Sequence, residues 1–256
     1  MTLIGRTRAR GVETLTLDSP DNRNALSAAL VGELTDALTD CAKDADVRAV
    51  VLTHTGTTFC AGADLRDPPP LSNSLERGDP HPPDGLVALL RQIVELPKPV
   101  VARVTGHVRA GGLGLLAACD ISAASARATF AFTEVHIGVA PAAISLPLLP
   151  RTDPRALARY YLTGERFSAP EAARIGLLTV AGEDVDAALT PVLDGLRRAS
   201  PQALAETKAL LTAKVLETFD RDAADLTALS ARLFSSAQAR EGMTAFLERR
   251  DPEWAV

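Results

Sequence analysis

Residues 106–115 read Gly-His-Val-Arg-Ala-Gly-Gly-Leu-Gly-Leu and follow a strand-like run, 100–104. A second glycine-containing segment, residues 59–65 with the sequence Phe-Cys-Ala-Gly-Ala-Asp-Leu, follows another strand-like run, 47–53. Small residues let backbone N–H groups come close to a ligand, and a glycine pair that opens a helix directs such donors along the positive end of the helix dipole. Two donors of this kind make an oxyanion hole. The two segments are therefore candidate binding turns between strand and helix.

An α/β pattern surrounds these segments. Residues 12–17 alternate in the manner of a strand, and Leu30, Leu34 and Leu38 recur at helical spacing between acidic residues. Strands and helices that alternate in this way are typical of α/β layers. We expect an α/β core over roughly the first 150 to 190 residues.

The chain becomes almost wholly helical after about residue 150. Asp153 before Pro154 is typical of an N-cap, and Ser168 with Glu171 matches a capping box. Further helices are predicted at 184–199, 201–217, 221–233 and 235–249.

Composition and charge exclude several classes of protein. The 256 residues include 27 basic and 32 acidic ones, and the net charge of −5 argues against a chain-wide attraction to nucleic acid. Three cysteines are too few for a disulfide framework and have no metal-ligand spacing, so we expect a reducing cytoplasm and no metal. The sequence shows neither a signal peptide nor a run of the about 20 apolar residues that span a bilayer, so no membrane partner is expected.

Residues 66–85 contain six prolines and little periodicity. A segment of this kind inside a domain is a functional lid or a solvated spacer, and the composition leaves both open.

Residues 129–141 place one carboxylate, Glu134, among apolar residues. Burial would raise its pKa toward the range that is useful for proton transfer. The alternative is a surface glutamate at a strand edge.

Together these segments resemble the crotonase superfamily, which comprises enoyl-CoA hydratases and isomerases. The resemblance extends over essentially the whole chain, and its motifs are Asn-Arg-Asn-Ala-Leu-Ser at 22–27, the segment 59–65, Pro-Lys-Pro-Val-Val-Ala at 97–102, Gly111-Gly112 with Cys119-Asp120, Leu-Thr-Gly-Glu at 162–165 and the closing stretch 241–252. It implies an α/β fold, the crotonase (ClpP-like) spiral of ββα units. The expected division is a core at 1–190 and a helical C-terminal oligomerisation region at 191–256, which assembles a homotrimer or a dimer of trimers.

The resemblance also implies an acyl-CoA thioester as the substrate, with CoA as part of the substrate and no separate cofactor. The thioester oxygen would accept hydrogen bonds from the N–H groups of Ala63 and Gly111. The residues expected to contact substrate are Ala25, Ala61, Ala63, Asp64, Leu65, Gly111 and Pro141. Candidate cations for the CoA phosphates are Arg23, Arg66 and Arg249, each of which could equally be an ordinary solvated arginine.

The acid/base pair departs from the family pattern. Typical hydratases of the family carry one Glu at the position of Gly114 and a second at the position of Glu134. Nothing adjacent in sequence replaces the first, since Asp120 belongs to a shared motif and His107 and His136 are weak candidates. One carboxylate would be enough for hydration if Glu134 takes a proton from water and returns one to Cα on the same face. The family's isomerases also use a single Glu at this place, so both reactions are open.

A finer resemblance favours hydration. Residues 111–115, 133–138 and 140–145 resemble the bacterial methylglutaconyl-CoA hydratase type, although the usual Gly-Gly-Thr after Pro141 is replaced by Ala-Ala-Ile-Ser. We therefore expect an enoyl-CoA hydratase-type lyase of fatty-acid or branched-chain catabolism, including that of leucine. The alternatives are a 3-enoyl to 2-enoyl isomerase, a thioester hydrolase, and an acyl-CoA binder that has lost its chemistry.

Overall fold

Two β-sheets organise the protein, for which a computed structural model describes residues 2–66 and 85–256. In chain order the strands are β1 (Ile4–Ala9), β2 (Val12–Leu17), β3 (Ala49–His54), β4 (Thr58–Cys60), β5 (Val100–Val104), β6 (His107–Arg109), β7 (Ile121–Ser125), β8 (Thr129–Ala131), β9 (Phe167–Ser168) and β10 (Val180–Gly182). The larger sheet has the order β1-β2-β3-β5-β7-β10 and the smaller sheet the order β4-β6-β8-β9.

The helices lie between and after these strands along the chain. In chain order they are α1 (Ala28–Lys43), α2 (Gly85–Glu95), α3 (Gly111–Ala118), α4 (Ser145–Leu148), α5 (Pro154–Thr163), α6 (Ala169–Arg174), α7 (Val185–Arg198), α8 (Pro201–Phe234) and α9 (Ala237–Glu248), with 3-10 helices at Pro20–Asn22 and Thr133–Ile137.

Consecutive strands alternate between the two sheets. β3, β5 and β7 lie in the larger sheet, and each is followed by a strand of the smaller sheet, namely β4, β6 and β8. Pairing is parallel throughout except for β1 with β2 and β8 with β9. Because α2 follows β4 and α3 follows β6, the repeating unit is ββα. The predicted α/β spiral is confirmed.

The predicted elements of the first half are confirmed as well. Ser27 caps α1 by accepting a hydrogen bond from the N–H of Leu30, and Leu30, Leu34 and Leu38 are buried on one helix face. Each such leucine contributes about 1.5–3 kcal/mol through the apolar area that it removes from water. α1 is thereby fixed against the larger sheet.

The capping box at α6 is only half formed. The hydroxyl of Ser168 accepts from the N–H of Glu171 at 3.4 Å. The Glu171 carboxylate does not return to Ser168, because it accepts hydrogen bonds from Tyr160 (2.8 Å) and Arg174 (2.6 Å) instead.

The predicted break between helices 201–217 and 221–233 is wrong, since α8 runs unbroken through both. The junction contains neither glycine nor proline. Phe219 is 1% exposed, and the Thr218 hydroxyl contacts the carbonyl of Leu146 at 2.9 Å. Core contacts therefore hold the helix together at this point. Residue 190 lies within α7, and the division into 1–190 and 191–256 stays a prediction.

The last helix packs against the 3-10 helix Thr133–Ile137. A Cβ atom placed on Gly138 would lie 2.7 Å from the carbonyl carbon of Gln238, and one placed on Gly242 would lie 2.6 Å from Ile137 Cα. The two backbones approach this closely only because both positions are glycine. α9 therefore supports the segment that carries Glu134.

Most of the proline-rich stretch predicted as a lid or spacer, namely 67–84, lies outside the described residues. Among the helices that the structure does describe, none has the length and apolarity needed to cross a bilayer.

Candidate active site

Glu134 occupies the 3-10 helix Thr133–Ile137, directly after β8. Its side chain is buried, and Oε2 has no hydrogen-bond partner among the described residues. Burial raises the pKa of Glu134 to about 7, opposed only by a hydrogen bond to its own backbone. A carboxyl with this pKa can both accept and donate a proton near neutral pH. The alternative of a surface glutamate is wrong.

The two glycine-containing turns meet in space. A Cβ atom placed on Gly111 would lie 3.6 Å from Gly62 Cα, and one placed on Gly62 would lie 2.7 Å from Ala110 Cβ. Gly62 also has a φ of +93°, which disfavours any residue with a side chain. The close approach of the two turns therefore depends on glycine at position 62.

Two backbone N–H groups at this junction, those of Ala63 and Gly111, have no acceptor within residues 2–66 and 85–256. Two hydrogen bonds connect the turn to Leu26 on either side of Ala63. The Leu26 N–H donates to the Gly62 oxygen (2.7 Å), and the Asp64 N–H donates to the Leu26 oxygen (3.3 Å). Gly111 begins α3, whose first N–H groups have no acceptor inside the helix. Both groups are available to a ligand.

The loop that carries Ala25 is fixed by a buried amide. Asn24 Nδ2 donates to the carbonyl oxygens of Thr55 (3.1 Å) and Thr58 (2.8 Å). Asn22 Nδ2 donates to the Asp64 carboxylate at 3.1 Å. The hydrogen bond between Asn22 and Asp64 therefore connects the loop that carries Ala25 to the glycine-containing turn at 59–65.

One cavity of about 1340 Å³ contains the predicted site. The residues predicted to act on or bind substrate that line it are Ala25, Ala61, Ala63, Asp64, Leu65, Gly111, Glu134 and Pro141. Small-molecule sites are commonly about 300–1,000 Å³, so this cavity accommodates a long ligand.

Gly114 does not line the cavity, whereas Ile144 does. A Cβ atom placed on Gly114 would lie 2.6 Å from Ile144 Cγ2 and 3.3 Å from Leu90 Cδ1. Ile144 thus covers the place where a side chain at position 114 would project. The cavity wall at this point is apolar, and Glu134 faces no second carboxylate from α3.

Two of the three arginines predicted to bind the CoA phosphates line the cavity, and one does not. Arg23 and Arg66 line the cavity, whereas Arg249 does not. Its neighbour Arg250 lines the cavity but is held in ion pairs with Glu241 and Glu248.

Neither of the two histidines considered from the sequence forms a side-chain hydrogen bond with Glu134; each contacts another described residue. His136 Nε2 contacts the Thr163 carbonyl at 2.8 Å, and His107 Nδ1 contacts the Thr129 hydroxyl at 3.0 Å. Burial lowers the pKa of His107, and the charges of Arg109 and Arg166 lower it further.

Sequence reasoning missed three residues that line the cavity: Ile144, Arg109 and Arg166. Ile144 stood out only as part of the departure from Gly-Gly-Thr, and Arg109 only as a member of the glycine-containing segment. Nothing in the local sequence marks Arg166.

A sequence profile of the family described as enoyl-CoA hydratase/isomerase matches residues 7–256. The chain belongs to this family. Its membership of the crotonase superfamily, predicted from the motifs, is confirmed, and it is an enzyme of the enoyl-CoA hydratase type.

Individual relatives of the family agree over nearly their full lengths. A crystal structure of an enoyl-CoA hydratase from Mycobacterium avium is 53% identical, with a TM-score of 0.89 and 100% of both chains covered. A Rhodobacter capsulatus protein with the name probable enoyl-CoA hydratase is 36% identical, covering 96% of this chain and 95% of that one. The mevalonyl-coenzyme A hydratase of Aspergillus fumigatus is 32% identical, covering 94% and 90%.

Within the described residues, no group of three or more His, Cys, Asp or Glu side chains is arranged to hold a metal ion. The expectation that no separate cofactor is needed stays a prediction.

Proposed function

We propose that this protein catalyses the reversible addition of water to a 2-enoyl-CoA thioester, with Glu134 as the single acid/base. One observation carries the proposal. The buried Glu134 carboxyl has an oxygen without a hydrogen-bond partner among the described residues, and it lies in the cavity that Ala63 and Gly111 also line, whose N–H groups have no acceptor in that same part of the chain. The family membership supports the class of reaction.

The thioester carbonyl oxygen would accept hydrogen bonds from the N–H groups of Ala63 and Gly111. Negative charge develops on this oxygen as the thioester becomes an enolate. Fixed donors that are aimed at such charge stabilise the transition state more than the bound substrate, and so they raise the rate.

Glu134 moves one proton in each half of the reaction. Its carboxylate takes a proton from water while the water oxygen bonds to C3, and the C2–C3 π electrons move to the thioester oxygen. The enolate then collapses, and C2 takes the proton from Glu134. The carboxylate is regenerated, and the net change is one added water.

The CoA part of the substrate would follow Ala25, Ala61, Asp64 and Leu65, with Pro141 beside the acyl part. Arg23 and Arg66 would contribute positive charge where the cavity opens. We place the reaction in fatty-acid or branched-chain catabolism, with leucine breakdown as one setting, and the assembly as a homotrimer or a dimer of trimers.

Isomerisation of a 3-enoyl to a 2-enoyl thioester is the second candidate. The apolar cover of Ile144 over Gly114 favours it, because a proton shuttle between C2 and C4 needs one carboxylate and no bound water. The same N–H groups would stabilise the dienolate.

Absorbance of the conjugated thioester distinguishes these reactions. We expect the purified protein to lower the absorbance of short and branched 2-enoyl-CoA esters, and Glu134→Gln to reduce that rate by about 10²–10⁴-fold. Glu165→Gln is the matched control, since Glu165 also lines the cavity but pairs with Arg159. A 2-enoyl absorbance that never falls would refute hydration, a rise from 3-enoyl-CoA would indicate isomerisation, and release of free CoA would indicate hydrolysis. Binding without any turnover would identify an acyl-CoA binder.

A further inference from the structure

Ala110 has a backbone conformation that is rare for a residue with a side chain. Its φ is +45° and its ψ is −122°, which lies outside the three regions that residues other than glycine normally occupy, the left-handed helical region included. Glycine adopts such angles without strain. The alanine at this position is therefore strained, and strained backbone of this kind is concentrated at functional sites.

Hydrogen bonds on both sides hold Ala110 in this conformation. Its N–H donates to the carbonyl oxygen of Ala131 in the neighbouring strand β8 (3.1 Å), and its own carbonyl oxygen accepts from the N–H of Leu113 in the first turn of α3 (2.8 Å). A return of φ to a negative value would rotate one of the two peptide units beside Ala110 and would break one of these bonds. The junction between β6 and α3 thus maintains the strain.

The same kind of bond directs both candidate donors of the site. In a trans peptide unit the C=O and N–H groups point in opposite directions. The Ala110 carbonyl oxygen points into α3, so the N–H of Gly111 points away from that helix. In the other turn, the Gly62 carbonyl oxygen accepts from the N–H of Leu26 (2.7 Å), which sets the direction of the Ala63 N–H in the same way.

The methyl group of Ala110 faces Gly62 in the other turn. A Cβ atom placed on Gly62 would lie 2.7 Å from Ala110 Cβ, so the methyl group occupies the room where a side chain of residue 62 would project. Each of the two donors belongs to the peptide unit that directly follows one of these residues. The contact between Ala110 and Gly62 is therefore one peptide unit away from both donors, and it limits how closely they approach each other.

The folded backbone would fit glycine better than alanine at position 110. Glycine would relieve the strain, and it is preferred over alanine at the N-cap of a helix, which is the position that residue 110 holds in α3. Alanine adds one methyl group, and this group lies between the two turns at the wall of the cavity. The methyl group therefore serves the site at the expense of the fold.

We propose that Ala110 is a positioning residue whose methyl group sets the distance between the N–H donors of Ala63 and Gly111. This inference rests on the proposed function for the thioester oxygen that both donors bind. Without the methyl group the two turns move closer together, and one donor loses its alignment with the oxygen. Misalignment weakens the enolate more than the bound CoA ester, because negative charge on the oxygen develops in the transition state.

The test compares Ala110→Gly with the unaltered full-length protein in stability and in turnover of a 2-enoyl-CoA ester. We expect the midpoint of thermal unfolding to rise by about 2–4 °C, because the relief of strain exceeds the added freedom of the unfolded chain. We expect kcat to fall by about 10-fold while KM stays within about two-fold, since a displacement of about 1 Å at a reacting group costs about 10²-fold. A lower midpoint, or an unchanged kcat, would overturn the inference.

Two further variants control for the methyl group and for the backbone. Ala110→Ser keeps the Cβ atom, so kcat should stay within about two-fold of the unaltered protein. Arg10→Gly is the matched control for the backbone, because Arg10 has a φ of +50° in the exposed turn between β1 and β2 and is not among the described residues that line the cavity. It should leave kcat unchanged. A loss of kcat in either variant as large as that in Ala110→Gly would contradict the role of the methyl group.

A spectroscopic measurement separates this inference from the reaction. Glu134→Gln removes the acid/base group, and a 2,4-dienoyl-CoA ester bound to this variant should absorb at longer wavelength than the free ester. The shift is expected because two hydrogen bonds to the thioester oxygen draw electron density along the conjugated chain. Combining Glu134→Gln with Ala110→Gly should reduce the shift by about half, since one of the two donors is misaligned.

The outcomes distinguish the two proposals. If no enoyl ester is turned over but the absorbance shift depends on Ala110, the proposed function fails and the positioning role stands. If esters are hydrated and Ala110→Gly changes neither kcat nor the shift, the positioning role is refuted and the function stands. A bound ester without any shift in Glu134→Gln would overturn the positioning role as well, because the two N–H groups would then not bind the thioester oxygen.

Discussion

Ile144 packs directly over Gly114, so that Ile144 Cγ2 lies 2.6 Å from where a Cβ atom on Gly114 would be. The contact joins α3 to the segment that leads into α4. It links two departures from the family pattern, because a residue of the altered stretch occupies the room that the missing carboxylate leaves.

A glutamate introduced at position 114 is therefore expected to raise hydration activity only if Ile144 is also replaced by a smaller residue. Gly114→Glu alone should overpack the core, lowering the free energy of unfolding by about 1–3 kcal/mol without raising hydration of crotonyl-CoA. Gly114→Glu combined with Ile144→Gly should recover stability and gain hydration activity. Urea unfolding and absorbance assays measure the two effects. Ile144→Gly alone is the control, and an equal gain in that variant would contradict the role of the new carboxylate.

The pH dependence of turnover should report Glu134. The carboxylate must be ionised to take a proton, so kcat/KM should fall as the pH decreases through about 7. Ile144→Gly admits water to the apolar wall, which reduces the desolvation of Glu134 and should move this limb of the profile to lower pH. An acid limb near pH 4.5 in the unaltered protein would contradict the burial of Glu134.

Burial of Glu134 should also cost stability at alkaline pH. Its folded pKa of about 7 lies above the ordinary value of 4.5, so the folded state binds more protons than the unfolded state between these values. The cost is absent below about pH 4.5, grows as the pH rises to 7 and then stays constant at about 3 kcal/mol. Glu134→Gln should therefore stabilise the protein at about pH 8 and have little effect at about pH 4.5 in urea unfolding. A gain that is equal at both pH values would rule out ionisation as its cause.

A buried ion pair joins α8 to the core. Lys208 Nζ lies 2.8 Å from Asp120 Oδ2 and also donates to the carbonyl oxygens of Ile93 (2.8 Å) and Lys98 (3.1 Å). Lys208→Met removes the cation beside Asp120, whose Oδ2 keeps only the hydrogen bond from the Val100 N–H (2.8 Å) among the described residues, and removes the lysine donor from both carbonyl oxygens. We therefore expect a loss of about 3–5 kcal/mol in the free energy of unfolding. Lys214→Met, an exposed lysine on the same helix, should cost less than about 0.5 kcal/mol. Similar losses in both variants would show that helix propensity, and not the ion pair, is responsible.

Assembly is testable through exposed leucines of α8. Leu210 and Leu211 are 81% and 75% exposed in the single chain. Light scattering should give three or six times the chain mass of 26.9 kDa, because apolar side chains of this size are covered in stable assemblies. Leu210→Asp should shift the protein toward the monomer, whereas Lys214→Asp, at an exposed polar position of the same helix, should not. A monomer in the unaltered protein would contradict the expected trimer.

Local patterns were sufficient for much of the fold and for part of the candidate site. Hydrophobic periodicity located β2 and α1, and the glycine-containing turns identified Gly62 and Gly111 as neighbours of a ligand. The continuity of α8 could not be predicted, because it depends on Phe219 entering a core built by distant residues. The contact of Ile144 with Gly114 joins positions far apart in the chain and has no local signature.

The hydrogen-bond partners of Arg109 could not be predicted for a different reason. An arginine in a glycine-containing segment has the same sequence signature whether its donors meet a carboxylate, a carbonyl or solvent. Only the positions of Val108 and Thr129 show which donors are used and which are free.

The donors at Ala63 and Gly111 are main-chain atoms, whereas Glu134 and Ile144 act through side chains. Substitution of a side chain cannot delete a backbone N–H unless proline is introduced. Most point mutations at Ala63 and Gly111 would therefore keep the two N–H donors that would bind the thioester oxygen. Acid/base groups and acyl-chain contacts carry no such protection. A lineage built on this scaffold can therefore explore new reactions and new substrates by single replacements while the anchoring of the thioester stays constant.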